Sequence, residues 1–186
     1  MTLTGIVLAA GAGTRAGGPK VLRTDADGTP WLHLAVDALT AAGCSLVVVV
    51  LGAAPIAPIP AGAVPVIATD WALGMSASLR AGVTAAASLG GDAALITLVD
   101  LPRMPAAVAQ RVAVLASRDA LVQAVFEGRP GHPVLLGADH WADAAASLSG
   151  DRGARDYLLA HGVTEVECGD LWDGRDVDGP HGPTIP

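Results

Sequence analysis

Six short runs rich in Val, Ile and Leu, each bounded by Gly, Pro or Asp, recur along the chain at Gly5–Ala10, Leu46–Leu51, Val64–Ala68, Ala93–Val99, Leu121–Val125 and Pro133–Leu136. Runs that are apolar at consecutive positions suit strands buried on both faces, as in a parallel sheet sandwiched between helices. Alanine-rich segments with helical spacing lie between them, at Trp31–Ala42, Met75–Ser88, Pro105–Ser117, Ala138–Leu148 and Arg152–His161. The alternation predicts an α/β fold with a mostly parallel sheet covered by helices. Pro105 suits a first helical turn, Asp151 is expected to cap the helix beginning at Arg152, and Gly43 and Gly162 are expected helix stops. The segment Gly174–Pro186, with its glycines and prolines, reads as an extended tail.

The 186 residues fit one domain, residues 1–186. With 52% hydrophobic and 16% charged residues the chain is too apolar to be disordered, which raises the question of a membrane span. The longest uncharged stretch, Ala38 to Thr69, is interrupted by glycines and prolines, so no apolar helix of the roughly 20 residues needed to cross a bilayer can be drawn through it. The amino terminus, MTLTGIVLAAG, has no basic segment before its apolar run, and a cytoplasmic location is expected. The net charge of −7 argues against nucleic acid or an anionic membrane as partner. Cys44 and Cys168 read as reduced thiols, and a monomer or weak homodimer is expected.

In an open parallel sheet, ligands bind where loops leave the carboxyl ends of strands. The loops after Ala10 and Val99 therefore stand out. The first belongs to LAAGAGTRAGGPK, Leu8 to Lys20, and contains the only lysine among the 11 basic residues. Its glycines, Gly11, Gly13, Gly17 and Gly18, allow left-handed backbone and a close approach of N–H groups to phosphates, and Arg15 and Lys20 add positive charge. The loop is neither GxGxxG, which would need glycine at Ala16, nor a Walker loop, because Pro19 separates Gly18 from Lys20.

LAAGAGTRAGGPK resembles the nucleotide-binding signature of the molybdenum cofactor nucleotidyltransferases, approximately LAAGxxxRxGxPK, with Ala16 where the family usually has a bulkier residue. Further segments follow in family order. DWALGMSASLRAG, Asp70 to Gly82, resembles the turn that opens a helix beside the nucleotide, and TLVDLP, Thr97 to Pro102, the aspartate motif at a strand end. GRPGHPVLL, Gly128 to Leu136, and GDRGARDYL, Gly150 to Leu158, resemble the two second-substrate motifs of the cytidylyltransferase branch. DVDGP, Asp176 to Pro180, resembles the closing D(I/V)DTP motif, with Gly179 in place of Thr.

The resemblance implies a three-layer, Rossmann-like nucleotidyltransferase fold and a Mg²⁺-dependent transfer of CMP from CTP to molybdopterin or its metal-loaded form. It implies nucleotide contacts from Leu8, Ala9, Ala10, Gly11, Gly13, Lys20, Gly74, Ser78 and Asp100, with Lys20, Arg15 and Asp100 catalytic. Asp100 and Asp178 would hold the metal, and His132 and Arg155 the acceptor. Read on their own, Asp100 is equally a turn or capping residue, Ser76 and Ser78 are helix caps, His132 is a loop histidine bonded to backbone, and Arg155 is a surface arginine. The helix start at Gly74, Ser76 and Ser78 is expected to offer N–H groups and hydroxyls to an anion or a base edge. An acceptor phosphate monoester, dianionic near neutral pH with a second pKa of about 6, needs no general base. That agrees with the lack of a Ser/His/Asp or Cys/His constellation. CTP is favoured over GTP because Ala10 stands where the guanylyltransferase branch more often has glycine. GTP, a phospholactate acceptor and a non-catalytic nucleotide-binding regulator remain the alternatives. Trp31, Trp71, Trp141 and Trp172 read as packing residues, Trp71 nearest the expected pocket.

Overall fold

The computed structural model describes residues 1–151 and 153–177. The strands are β1 (Leu3–Leu8), β2 (Leu46–Leu51), β3 (Ala63–Ile67), β4 (Ala93–Leu98), β5 (Leu121–Phe126), β6 (Arg129–Gly137) and β7 (Thr164–Glu167). The helices are α1 (Trp31–Ala41), α2 (Met75–Ser88), α3 (Ala106–Ala113), α4 (Trp141–Ser147) and α5 (Arg155–Ala160). One sheet has the order β3-β2-β1-β4-β6-β5-β7. Strands β1 to β4 pair in parallel, β6 runs antiparallel to both β4 and β5, and β5 pairs in parallel with β7.

Burial divides the side chains into two cores, one on each face of the sheet. Leu32 and Leu39 of α1 and Val108 and Val112 of α3 pack with Val7, Val49, Leu95 and Leu135. Leu79 and Val83 of α2, Trp141 of α4 and Leu158 of α5 pack on the other face with Ile6, Val48, Val50 and Ile96. The result is the three-layer α/β architecture. Ile6, Leu95 and Leu135 are fully buried, so truncating any of them to Ala should destabilise by about 2–5 kcal/mol.

The six expected strands are present, and the structure adds β7, whose sequence TEVE is half exposed and too polar to stand out as a buried run. β6 is longer than Pro133–Leu136 because its first residues pair with β5 alone. α3 ends at Ala113, short of Ser117, and leaves Val114 and Leu115 exposed. The expected helix Ala138–Leu148 is a 3₁₀ turn over Ala138–His140 followed by α4. The last helix starts at Arg155 rather than Arg152. Gly150 and Gly153 take positive φ, 58° and 56°, which right-handed helix does not allow, and Asp151 is used elsewhere. Of the expected tail, residues 174–177 are described and carry no regular structure, but Val177 is buried.

Chain order reverses at β1, which has β2 on one side and β4 on the other. The crevice at such a switch point lies beyond the carboxyl ends of β1 and β4, where the loops after Leu8 and Leu98 emerge.

Candidate active site

The glycine-rich loop is folded back on Gly13, whose carbonyl accepts the N–H groups of Ala16 at 2.9 Å and Gly18 at 3.0 Å. Gly13 has φ 59°, and a Cβ there would lie 1.9 Å from the Gly18 carbonyl oxygen, so no side chain fits. The start of the loop is fixed to β2: the Ala9 N–H donates to the Val50 carbonyl at 2.9 Å, and the Ala10 carbonyl accepts the Ala53 N–H at 3.0 Å. Beyond Ala16 the chain is tied to α1. The Arg23 guanidinium donates to the Ala16 carbonyl and lies 5.5 Å from the centre of the Trp31 ring. These contacts set Lys20, at the start of a short 3₁₀ turn pinned by buried Val21, over the end of β4.

There the Lys20 Nζ donates to Asp100 Oδ2 at 2.9 Å, with both side chains more than four-fifths buried. Asp100 Oδ1 is buried and has no hydrogen-bond partner. A buried carboxylate oxygen left without a donor is a costly arrangement in a finished protein and a suitable one for receiving a cation or a ligand proton. The Asp100 backbone is held by the carboxyl-terminal segment, since the Val177 N–H donates to the Asp100 carbonyl at 3.0 Å. Asp178, the next residue in sequence, lies outside the described residues, and among those residues no group of three or more His, Cys, Asp or Glu could hold a metal ion.

Lys20 and Asp100 line a cavity of about 620 Å³ together with residues 8–14, 71, 72, 74, 75, 78, 98, 99 and 151. All the residues expected to contact nucleotide, namely Leu8, Ala9, Ala10, Gly11, Gly13, Lys20, Gly74, Ser78 and Asp100, are on its wall. The backbone of Arg15 sits in the short 3₁₀ turn of the same loop. Trp71, expected near the pocket as a packing residue, is part of the wall. Asp151 and Met75 were missed as wall residues.

The amino-terminal end of α2 differs from expectation. The Met75 N–H donates to Asp151 Oδ1 at 3.3 Å, the Ser76 N–H donates to the Gly150 carbonyl at 3.1 Å, and the Ser76 hydroxyl donates to the same carbonyl. Asp151 therefore caps α2, not α5. Ser76 is spent on the 150–151 loop rather than offered to a ligand, and Ser78 is the serine left on the cavity wall. Gly74 makes this approach possible: with φ 113°, a Cβ there would come within 2.5 Å of Asp151 Oδ1.

His132 and Arg155 line a second, smaller cavity of about 90 Å³, which shares Leu8 and Met75 with the first. The register of β5 with β6 shifts between Gln123 and Val125, so residues 131–133 bulge out of the ladder. The bulge presents His132 beside the end of β4, where its Nδ1 is 3.3 Å from the Ile96 carbonyl oxygen. Although the residue keeps some solvent access, desolvation holds the His132 pKa below its ordinary value near 6.5. The Ile96 bond and the Asp100 charge oppose that shift without cancelling it. Gln123 completes the polar part of this wall, and a lone Gln inside the apolar run LVQAVF was the signal that could have found it.

The fold and this loop arrangement define an α/β protein of the nucleotidyl-transfer type. A family profile for the MobA-like NTP transferase domain matches residues 5–166, and the chain belongs to that family as a nucleotidyltransferase. It is 34% identical to nicotine blue oxidoreductase of Paenarthrobacter nicotinovorans, over 95% of this chain and 92% of that one. Its structure superposes on Rv0371c of Mycobacterium tuberculosis H37Rv with a TM-score of 0.80 at 27% identity, covering 96% and 93% of the two chains. A structure of Rv0371c in complex with manganese gives 0.74 at 26% identity, covering 96% and 92%. A nucleotidyl transferase of Methanothermobacter gives 0.78 at 24% identity, covering 96% and 93%, which is likeness of fold. Among the described residues no helix is long and apolar enough to cross a membrane.

Proposed function

We propose that the chain transfers CMP from CTP to a phosphorylated small molecule of the molybdopterin type, releasing pyrophosphate. The carrying observation is the Lys20–Asp100 pair on the wall that also holds the glycine-rich loop. The loop N–H groups and Lys20 bind the triphosphate, with Arg15 assigned to the same leaving end. Fixing those donors before reaction stabilises charge that grows on the departing pyrophosphate. The acceptor phosphate brings its own nucleophilic oxygen, so no residue need remove a proton.

Asp100 Oδ1 fits a divalent ion, because Mg²⁺ typically takes one or two protein carboxylates and fills its shell with phosphate oxygens and water. Asp178 is the proposed second carboxylate. Bound there with nucleotide, the ion would neutralise phosphate charge and orient the α-phosphorus. Manganese in the complex of Rv0371c supports a divalent site in this fold. Ala10 supports CTP over GTP, since its methyl narrows the space for a purine, although one methyl group gives only modest discrimination.

The test is pyrophosphate release from CTP, GTP, ATP and UTP with molybdopterin and Mg²⁺ or Mn²⁺. Turnover with CTP supports the reading, and turnover confined to GTP corrects the base. Saturable binding without product in any combination refutes catalysis and leaves a nucleotide-binding regulator. The relative named as an oxidoreductase motivates one further arm, oxidation of NADH or NADPH with quinone acceptors. Redox turnover there, with no nucleotidyl transfer, would overturn the proposal.

A further inference from the structure

The inner wall of the smaller cavity carries two polar side chains, His132 and Gln123, with the Arg155 guanidinium at its edge. The Ile96 carbonyl oxygen can only accept, so the His132 Nδ1 at 3.3 Å carries the hydrogen. Because desolvation disfavours the imidazolium, the ring is neutral near pH 7 and Nε2 bears a lone pair. The same logic fixes Gln123. Its Nε2 donates to the Gly131 carbonyl at 3.2 Å, which orients the amide and leaves Oε1 as its other polar atom. Neither Nε2 of His132 nor Oε1 of Gln123 is among the buried atoms left without a partner, so both remain reachable. The rest of the wall is aliphatic, apart from exposed Arg155 at the edge, which makes no ion pair among the described residues.

We infer that this cavity selects the uncharged, hydrogen-bond-donating edge of a ring on the acceptor substrate, and that Gln123 is a specificity-determining residue. Two acceptor atoms, set by backbone carbonyls of β4 and β6, meet two N–H or O–H groups. An anionic edge turned toward His132 and Gln123 faces two lone pairs and is disfavoured there, and an edge with only acceptor atoms leaves those lone pairs unmatched in an aliphatic wall. The acceptor's phosphate then lies at the edge of this cavity, towards Arg155, or beyond it, towards Lys20. The inference deepens the proposed acceptor reading and rests on its placement of the acceptor beside the nucleotide.

The experiment uses the full chain and three small rings observed by ligand NMR. Isocytosine presents adjacent N–H donors, pyrimidine presents only acceptors, and benzoate is anionic. Isocytosine should bind at millimolar concentration, roughly tenfold or more tighter than pyrimidine, and any benzoate binding, held by Arg155, should be unchanged by Gln123→Met. Gln123→Met should reduce isocytosine to the level of pyrimidine and leave CTP affinity unchanged within about twofold, which also shows that the variant is folded. Equal binding of isocytosine and pyrimidine, benzoate binding that falls in Gln123→Met, no binding of isocytosine, or a Gln123→Met protein that keeps the preference would each overturn the inference. Because no turnover is needed, the result is independent of whether CMP transfer is the reaction. A chain that selects isocytosine but releases no pyrophosphate would sink the proposed function alone.

Discussion

Replacing Lys20 by Ala removes a cation held 2.9 Å from a carboxylate that already has one buried oxygen without a partner. At an effective dielectric of about 20 the gross attraction at that distance is roughly 6 kcal/mol. Both groups expose less than a fifth of their side chains, so most of that attraction offsets lost hydration. Water in the large cavity can partly rehydrate Asp100, and the expected net loss of stability is about 1–3 kcal/mol. Asp100→Asn keeps an amide oxygen to accept the Lys20 hydrogen bond but leaves the buried ammonium without its counter-charge, so its stability should also fall by about 1–3 kcal/mol. The double variant Lys20→Met with Asp100→Asn should recover most of the stability lost in Lys20→Ala, since neither charge is left alone. Turnover has the opposite pattern. Each variant, the double one included, should lose about 10²–10³ in kcat, as when one preorganised electrostatic contact is deleted. Urea titration and pyrophosphate release measured on the same preparations separate the two effects. Lys20→Ala with unchanged kcat and unchanged stability would refute both the catalytic role and the energetic account.

Further outcomes follow from particular geometries. Gly13→Ala, with no room for its Cβ, should weaken CTP binding by about 10²-fold or more, while Gly17→Ala, strained by φ 81° but in open space, should cost only about 1–2 kcal/mol of loop stability; isothermal titration and thermal melting distinguish them. His132 has a folded pKa below its unfolded one, so the unfolded chain takes up more protons under acid conditions. Its contribution is complete above about pH 6.5 and is lost as pH falls through the window beneath. His132→Gln should flatten that part of a stability-against-pH curve, and an unchanged slope would contradict the shift. The Cys44 thiol is buried and pushed up to about 12, so iodoacetamide at about pH 8 should leave it unmodified in the native protein and label it in urea. Asp151→Ala should lower stability by about 0.5–1 kcal/mol through the lost α2 cap, and a change confined to α5 in hydrogen exchange would show the cap assignment to be mistaken.

What could be read from the residues alone was whatever the chain writes locally. The runs of β1, β2 and β4 are apolar on both faces because helices cover both, and that pattern needs no knowledge of neighbours. Lys20 and Asp100 were legible one at a time, as a cation in a glycine-rich loop and a carboxylate at a strand tip. Their meeting was an expectation of topology, since both loops leave carboxyl ends of adjacent strands. β7 was illegible because an edge strand half open to solvent has no reason to be apolar. The capping of α2 by Asp151 was illegible for a stronger reason: the partners are 76 residues apart, and a local cap at Arg152 was an equally good reading of the same aspartate. Two glycines decided between them, Gly150 and Gly153, whose positive φ breaks the helix before Arg155 and frees Asp151 to cross to Gly74.

That crossing has a consequence for how the two cavities work together. Asp151 borders the large one, while Gly153, Ala154 and Arg155 border the small one. In the proposed reaction a triphosphate held by Lys20 would bring negative charge into the cavity that Asp151 lines. On the proposed function, the hydrogen bonds from α2 that hold residues 150 and 151 would resist that repulsion. Asp151→Ala should therefore weaken nucleotide binding as well as the α2 cap, and unchanged CTP affinity in that variant would refute the link.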